Sequence, residues 1–254
     1  MAQEVGKREV VEVKDAEELA HKAAEIIAGD AQKAIEQRGR FVIALAGGST
    51  PKATYKYLAR DHADKIDWNK VYAFMSDERF VPYDSELSNF GMARETLLSH
   101  LPIPKDRIFP VPTDRASPIE SAMAYEKTLR EFFKTDEQIP RFDLILLGMG
   151  DDGHTASLFP NAATIGIRDR WVVASPAGTL PPPVDRITFT LPLINAARHV
   201  LFLVSGEKKA AALADIFENH PDPVKRPSAG VRPTDGTLTW LIDQAAAIDL
   251  NGRP

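Results

Sequence analysis

Phe142-Asp143-Leu144-Ile145-Leu146-Leu147-Gly148-Met149-Gly150-Asp151-Asp152-Gly153-His154-Thr155-Ala156-Ser157-Leu158-Phe159-Pro160 is a nearly unbroken apolar run that ends in a glycine-rich loop carrying two acids and a histidine. An apolar run of that length without polar alternation predicts a strand covered on both faces, as in a parallel α/β sheet. Ligands of such sheets bind beyond the carboxyl ends of the strands, which is where Asp152 and His154 fall. Histidine exchanges protons near neutral pH, and Asp152 stands close enough in sequence to orient the ring and stabilise its protonated form.

On either side of this stretch, strand-like and helix-like segments alternate. Val10 to Val13 predicts a first strand, and Asp15-Ala16-Glu17-Glu18 resembles a capping box before an apolar stripe at Leu19, Ala23, Ile26, Ile27 and Ile35. Phe41 to Ala46 and Val71 to Met75 predict strands, the second closing on Ser76-Asp77-Glu78-Arg79. Ser117-Pro118-Ile119-Glu120 starts a helix that runs to about Phe133; Arg186 to Leu191 and Val200 to Val204 are further strands. An alanine-rich helix follows Ser205-Gly206, Pro221 to Pro233 reads as a loop, and Thr237 to Ala247 as a last helix. The alternation predicts βαβ units, hence a single doubly wound, mostly parallel, Rossmann-like sheet flanked by helices, in one domain spanning residues 1–254.

Composition narrows the functional classes. The balance of 31 basic against 36 acidic residues gives −5 with no basic block, so nonspecific nucleic-acid binding has little electrostatic support. Anionic ligands need a local basic pocket instead. There is no cysteine, which excludes disulfides, thiolate metal sites and a cysteine nucleophile. The mixed-charge start, Met1 to Glu12, lacks the apolar core of a signal peptide, and no segment approaches the ~20 apolar residues of a membrane span. A cytoplasmic protein with no membrane partner is the expectation; monomer and homodimer both stay open.

Gly47-Gly48-Ser49-Thr50-Pro51 is the second informative site. Glycines let a backbone approach a ligand closely, and amides at the start of a helix favour an anion such as phosphate. Thr50 is the expected cap, with Pro51 at the first helical position. The loop is not a Walker motif, since no Gly-Lys-Ser/Thr is present. Gly148-Met149-Gly150-Asp151-Asp152-Gly153 formally matches a dinucleotide fingerprint, but that fingerprint needs a long helix after its third glycine. Here His154 follows at once and Pro160 interrupts within two turns. Asp152 and His154 alone do not make a metal site, and the other histidines are scattered. Arg79, Arg186 and Lys209 are the cations expected near the loop, because each lies at a predicted strand end. Phosphate-gripping amides, two or three cations and one acid-base histidine imply a phosphorylated small substrate.

The ordered motifs resemble those of the 6-phosphogluconolactonase family: Gly47 to Pro51, Asp77-Glu78-Arg79 with Val81-Pro82, Asp84 and Ser88-Asn89, Gly150 to Pro160, Arg186-Ile187-Thr188, and Gly206-Glu207-Lys208-Lys209-Ala210. The resemblance runs from about residue 41 to 247. It implies a fold shared with the glucosamine-6-phosphate deaminases and hydrolysis of a sugar-phosphate lactone with neither metal nor organic cofactor. It further implies His154, Asp152 and Arg79 as catalytic residues, and Gly47, Gly48, Ser49, Thr50, Arg186 and Lys209 as substrate and phosphate contacts. In the deaminase pattern the histidine loop continues toward Asn-Glu-Pro and an aromatic follows the Asp-Glu pair. Leu158-Phe159-Pro160 and Arg79 stand there instead, which points to the lactonase side. A nonenzymatic sugar-phosphate sensor is a weaker alternative, because base and cations are all present. Asp151 is an additional acid, expected either to be solvated or to approach His154.

Overall fold

The protein is described by a computed structural model that covers residues 7–135, 138–178 and 182–250. Seven strands form the main sheet: β1 (Lys7–Val13), β2 (Phe41–Leu45), β3 (Val71–Met75), β5 (Ile108–Phe109), β6 (Leu144–Gly148), β9 (His199–Val204) and β10 (Thr237–Asp243). They lie in the order β1-β10-β9-β6-β2-β3-β5, and every neighbouring pair is parallel. The helices are α1 (Ala16–Arg38), α2 (Ser49–Asp61), α3 (Asn89–Thr96), α4 (Pro118–Phe133), and the short α5 (Leu191–Asn195) and α6 (Ala210–Ala214). No helix among the described residues is long and apolar enough to cross a membrane.

The mostly parallel, helix-flanked sheet is the one expected, and its central strands are buried along almost their whole length, as an uninterrupted apolar run requires. Asp143 sets the join at the foot of the sheet: its carboxylate accepts from the Val42 amide at 2.8 Å and from Arg38 Nε at 2.8 Å. The first helix is capped as read, with Asp15 accepting from the amides of Glu17 and Glu18. Ser117 likewise caps α4, with Pro118 in the first turn.

The structure departs from the sequence reading in several places. The segment from Thr237 is not a helix but the strand β10, inserted between β1 and β9, with Trp240 stacked on Phe202 of β9 at 3.9 Å between ring centroids. A short apolar run does not declare its period, and the β-branched and aromatic Thr237, Thr239, Trp240 and Ile242 outweigh the alanines behind them, which only form turns. Secondly, Thr50 is not the cap of α2. The helix begins two residues earlier, at Ser49, with Gly48 in the cap position at φ 104° and no capping side chain. Thirdly, a separate three-stranded antiparallel sheet accompanies the parallel one, formed by β4 (Asp77–Arg79), β8 (Arg186–Phe189) and β7 (Val172–Ser175). Arg186 therefore lies outside the parallel sheet, opposite Arg79 in register. The alanine-rich segment after Gly206 is also broken: a single turn at Glu207–Lys209 precedes α6.

Two buried tyrosines hold the upper ends of neighbouring strands. The Tyr55 hydroxyl, from α2, donates to the Ala46 carbonyl at 2.8 Å and accepts from the Ala46 amide at 2.9 Å. Tyr125, from α4, accepts from the Met75 amide at 2.8 Å, and its hydroxyl lies 3.0 Å from the Met75 carbonyl and 3.3 Å from that of Phe109. Burial pushes both phenol pKa values far up, so the hydroxyls stay neutral. Replacing either tyrosine by phenylalanine leaves a buried amide and carbonyl without their partner, an expected loss of ~1–3 kcal/mol in urea unfolding. Unfolding midpoints equal to wild type would show that the hydroxyls are not holding these strand ends.

Candidate active site

From β2 the chain steps outward to β3 and β5, then returns to place β6 on the other side of β2. Beyond the carboxyl ends of strands at such a reversal a crevice opens. Here it is a cleft of about 430 Å³ lined by the loops that follow β2, β3, β6 and β9.

The loop after β6 is tied at both ends. Thr155 Oγ1 donates to the Gly148 carbonyl at 2.8 Å, and the Gly150 amide donates to the His154 carbonyl at 2.9 Å. Gly153 adopts φ 80°, a left-handed conformation that a residue with a Cβ enters only under strain. The tight turn that results brings Asp152 Oδ1 within 2.6 Å of His154 Nδ1 and 3.0 Å of the His154 amide. With Nδ1–H donated to the carboxylate, the Nε2 lone pair is the free basic position of the ring. Burial works to raise the Asp152 pKa, but its hydrogen bonds with His154 prevail and hold it below the usual carboxylate value. Phe159 flanks the imidazole at 4.9 Å between centroids.

Support for this turn comes from a segment that looked like plain loop. Arg226 Nη1 donates to the Asp152 carbonyl at 2.9 Å while its Nε is paired with Asp215 at 2.8 Å, and the Ser228 amide donates to the Gly153 carbonyl at 3.0 Å. No motif announced Arg226. Asp77 and Asn89 were visible in the sequence only as motif members with no role attached. Asp77 lines the cleft and accepts from Ser157 Oγ at 2.7 Å. Asn89 donates to the Asp77 carbonyl at 3.1 Å and packs where Gly47 lacks a side chain. The buried Glu78 fastens α3 by accepting from the amides of Arg79, Asn89 and Phe90, and its pKa is raised by burial.

The expected anion contacts separate into two groups. Gly47, Gly48, Ser49, Thr50, Arg79, His154 and Lys209 all line the cleft. The first turn of α2 presents its amides there without a capping side chain, a ready anion site. Arg79 Nη1 donates to the Leu87 carbonyl at 2.6 Å, and its buried Nε has no hydrogen-bond partner among the described residues. Asp152 reaches the cleft through His154. Arg186 does not line it: this buried guanidinium donates to the carbonyls of Val184 and Pro182 at 2.9 and 2.8 Å. Burial, followed by repulsion from Arg79, lowers its pKa. Of Pro181-Pro182-Pro183 just before it, Pro181 lies outside the described residues. Asp151 does not approach His154 but forms an ion pair with Lys209. Among the described residues, no three His, Cys, Asp or Glu gather as a metal site.

A family model described as "Glucosamine-6-phosphate isomerases/6-phosphogluconolactonase" matches residues 14–240. A 6-phosphogluconolactonase of Synechocystis sp. is 45% identical over 219 residues, which are 86% of this chain and 88% of that one. The solved structure of 6-phosphogluconolactonase from Trypanosoma cruzi superposes with a TM-score of 0.86 at 32% identity, covering 99% of this chain and 100% of that one. A monomeric glucosamine-6-phosphate deaminase, with a TM-score of 0.80, 23% identity and coverage of 95% and 99%, shares the fold.

A methyl group at residue 150 would occupy the space of the His154 ring and the Asp152 carboxylate. Gly150→Ala is therefore expected to lower turnover by ~10²-fold or more, on the scale of losing a positioned base, with far-UV circular dichroism unchanged. Turnover within about threefold of wild type would mean that the pair need not keep this geometry.

Proposed function

The chain belongs to the glucosamine-6-phosphate isomerase/6-phosphogluconolactonase family, and from that premise we propose that it hydrolyses 6-phospho-D-glucono-1,5-lactone to 6-phospho-D-gluconate in the oxidative pentose phosphate pathway, with His154 as general base. The observation that carries the reading is the 2.6 Å contact between Asp152 Oδ1 and His154 Nδ1, which leaves Nε2 to accept a proton. Leu158 and Phe159 stand where the deaminase pattern supplies a carboxylate for ring opening, and both are buried apolar residues. That favours the lactonase over its deaminase cousin.

The chemistry then runs as acid-base catalysis. His154 Nε2 takes a proton from water as its oxygen adds to the lactone carbonyl carbon, giving a tetrahedral oxyanion. The ring C–O bond breaks as the oxyanion collapses, and the imidazolium returns its proton to the departing ring oxygen. The product acid then ionises. Asp152, kept charged by its contacts with His154, favours the imidazolium between these steps. Ser157 is buried and its hydroxyl is committed to Asp77, so a water nucleophile is the simpler route.

Positive charge is needed at both ends of the substrate. The uncapped turn at Ser49-Thr50 and the Lys209 ammonium flank Gly148, whose missing side chain leaves open space; this is the phosphate end. Arg79, from β4, is assigned to the carbonyl oxygen. Arg186 acts behind Arg79 and not by direct contact. The cytoplasm is the location we propose for this activity.

The test is lactone hydrolysis measured above the spontaneous background. His154→Gln is expected to lose ~10²–10⁴-fold of the catalysed rate, and near-normal turnover would eliminate the base assignment. Asp152→Asn removes the carboxylate that fixes the ring through Nδ1, so kcat is expected to fall ~10-fold or more with KM little changed. Turnover equal to wild type would sever the link between the two residues. Lys209→Ala is expected to raise KM about tenfold or more with a smaller change in kcat, the mark of uniform binding; the reverse split would move Lys209 to the oxyanion.

A further inference from the structure

The loop after β6 carries two adjacent acids that point to different partners. Asp152 serves His154 two residues on, whereas Asp151 reaches across the cleft to Lys209, 58 residues away in sequence. Lys209 comes from the turn after β9, the neighbour of β6 in the sheet. The pair lies within the cleft lining, where the substrate's phosphate is assigned.

We infer that Asp151 is a specificity residue that acts as an internal stand-in for the substrate's phosphate, so that a ligand oxygen gains Lys209 only by displacing the Asp151 carboxylate. The inference rests on the assignment of Lys209 to the phosphate end. Lysine is a compact charge on a flexible stem, and the carboxylate keeps its ammonium turned into the cleft ahead of the ligand. Both side chains remain partly exposed, Lys209 at 25% and Asp151 at 43%. An ion pair at that exposure is worth little and exchanges readily, whereas a fully buried one would resist being opened.

Selectivity follows from the exchange. A monoanion that replaces Asp151 at Lys209 trades one single charge for another. A phosphate dianion brings two charges and also reaches the amides of the α2 turn, so it alone gains from the swap. The displaced carboxylate stays on the same loop, able to reclaim Lys209 and to repel an anionic product. Asp151 thereby weakens binding of the product as well as of the substrate, and favours turnover over retention.

The test is calorimetric binding of inorganic phosphate and of 6-phosphogluconate at constant ionic strength, to wild type, Asp151→Asn, Lys209→Met and the double variant. Asp151→Asn is expected to tighten both ligands about two- to fivefold, the range an exposed ion pair supports. In the Lys209→Met background the same substitution is expected to change binding by less than half of that. Unchanged or weaker binding in Asp151→Asn would overturn the inference. So would an equal gain with and without Lys209, which would be plain charge repulsion from the loop. Lactone turnover is followed in parallel: a wild type that binds phosphate yet accelerates no hydrolysis would sink the functional reading and leave the exchange at Lys209 measurable.

Discussion

A parallel sheet has to stop somewhere, and where it stops its backbone amides and carbonyls lose their ladder partners. This protein meets the demand with side chains, one for each strand that feeds the cleft. Tyr55 closes the end of β2, Tyr125 the end of β3 and Thr155 the end of β6, each through hydrogen bonds to main-chain atoms. At β9 the carboxylate of Asp243 accepts from Ser205 Oγ and the Gly206 amide at 2.5 and 3.0 Å. The functional loops depart from fixed points as a result, and the cleft takes its shape from four pinned strand ends.

From those points the electrostatics divide by strand. The β6 loop holds the base and its partner acid; the loops on either side bring amides and cations. Each of the three acids in and around the cleft is engaged locally. Asp152 holds the imidazole, Asp151 meets Lys209, and Asp77 anchors Ser157 and Asn89. Of the cations there, Arg79 keeps a buried Nε with no hydrogen-bond partner among the described residues.

How much of this was legible in the sequence depended on the range of the interaction concerned. The histidine loop was readable because strand, glycines, acid and base are consecutive, and the caps at Asp15 and Ser117 because a cap acts within three residues. Thr237 to Ala247 misled because an apolar run looks the same at either period until its neighbours, here β1 and β9, are known. Arg186 was found at a strand end, but its strand belongs to the antiparallel sheet, whose three-residue β4 consists wholly of charged residues and carries no apolar signature. Arg226 supports the Asp152 carbonyl from 74 residues away, inside a proline-rich stretch. Nothing in a single sequence links those two points.

The separation of the Asp152–His154 contact, two residues, has a consequence for the order in which the site comes into being. Acid and base belong to one turn, so their contact closes a very short loop, which Arg226 and Ser228 then brace from far along the chain. The phosphate grip joins turns that follow β2 and β9, and its assembly waits for both strands to pair with β6. The proton-transfer contact is thus local in sequence, and the phosphate grip is not. The same split lets descendants of such a chain change what they bind while the proton-transfer turn is inherited whole.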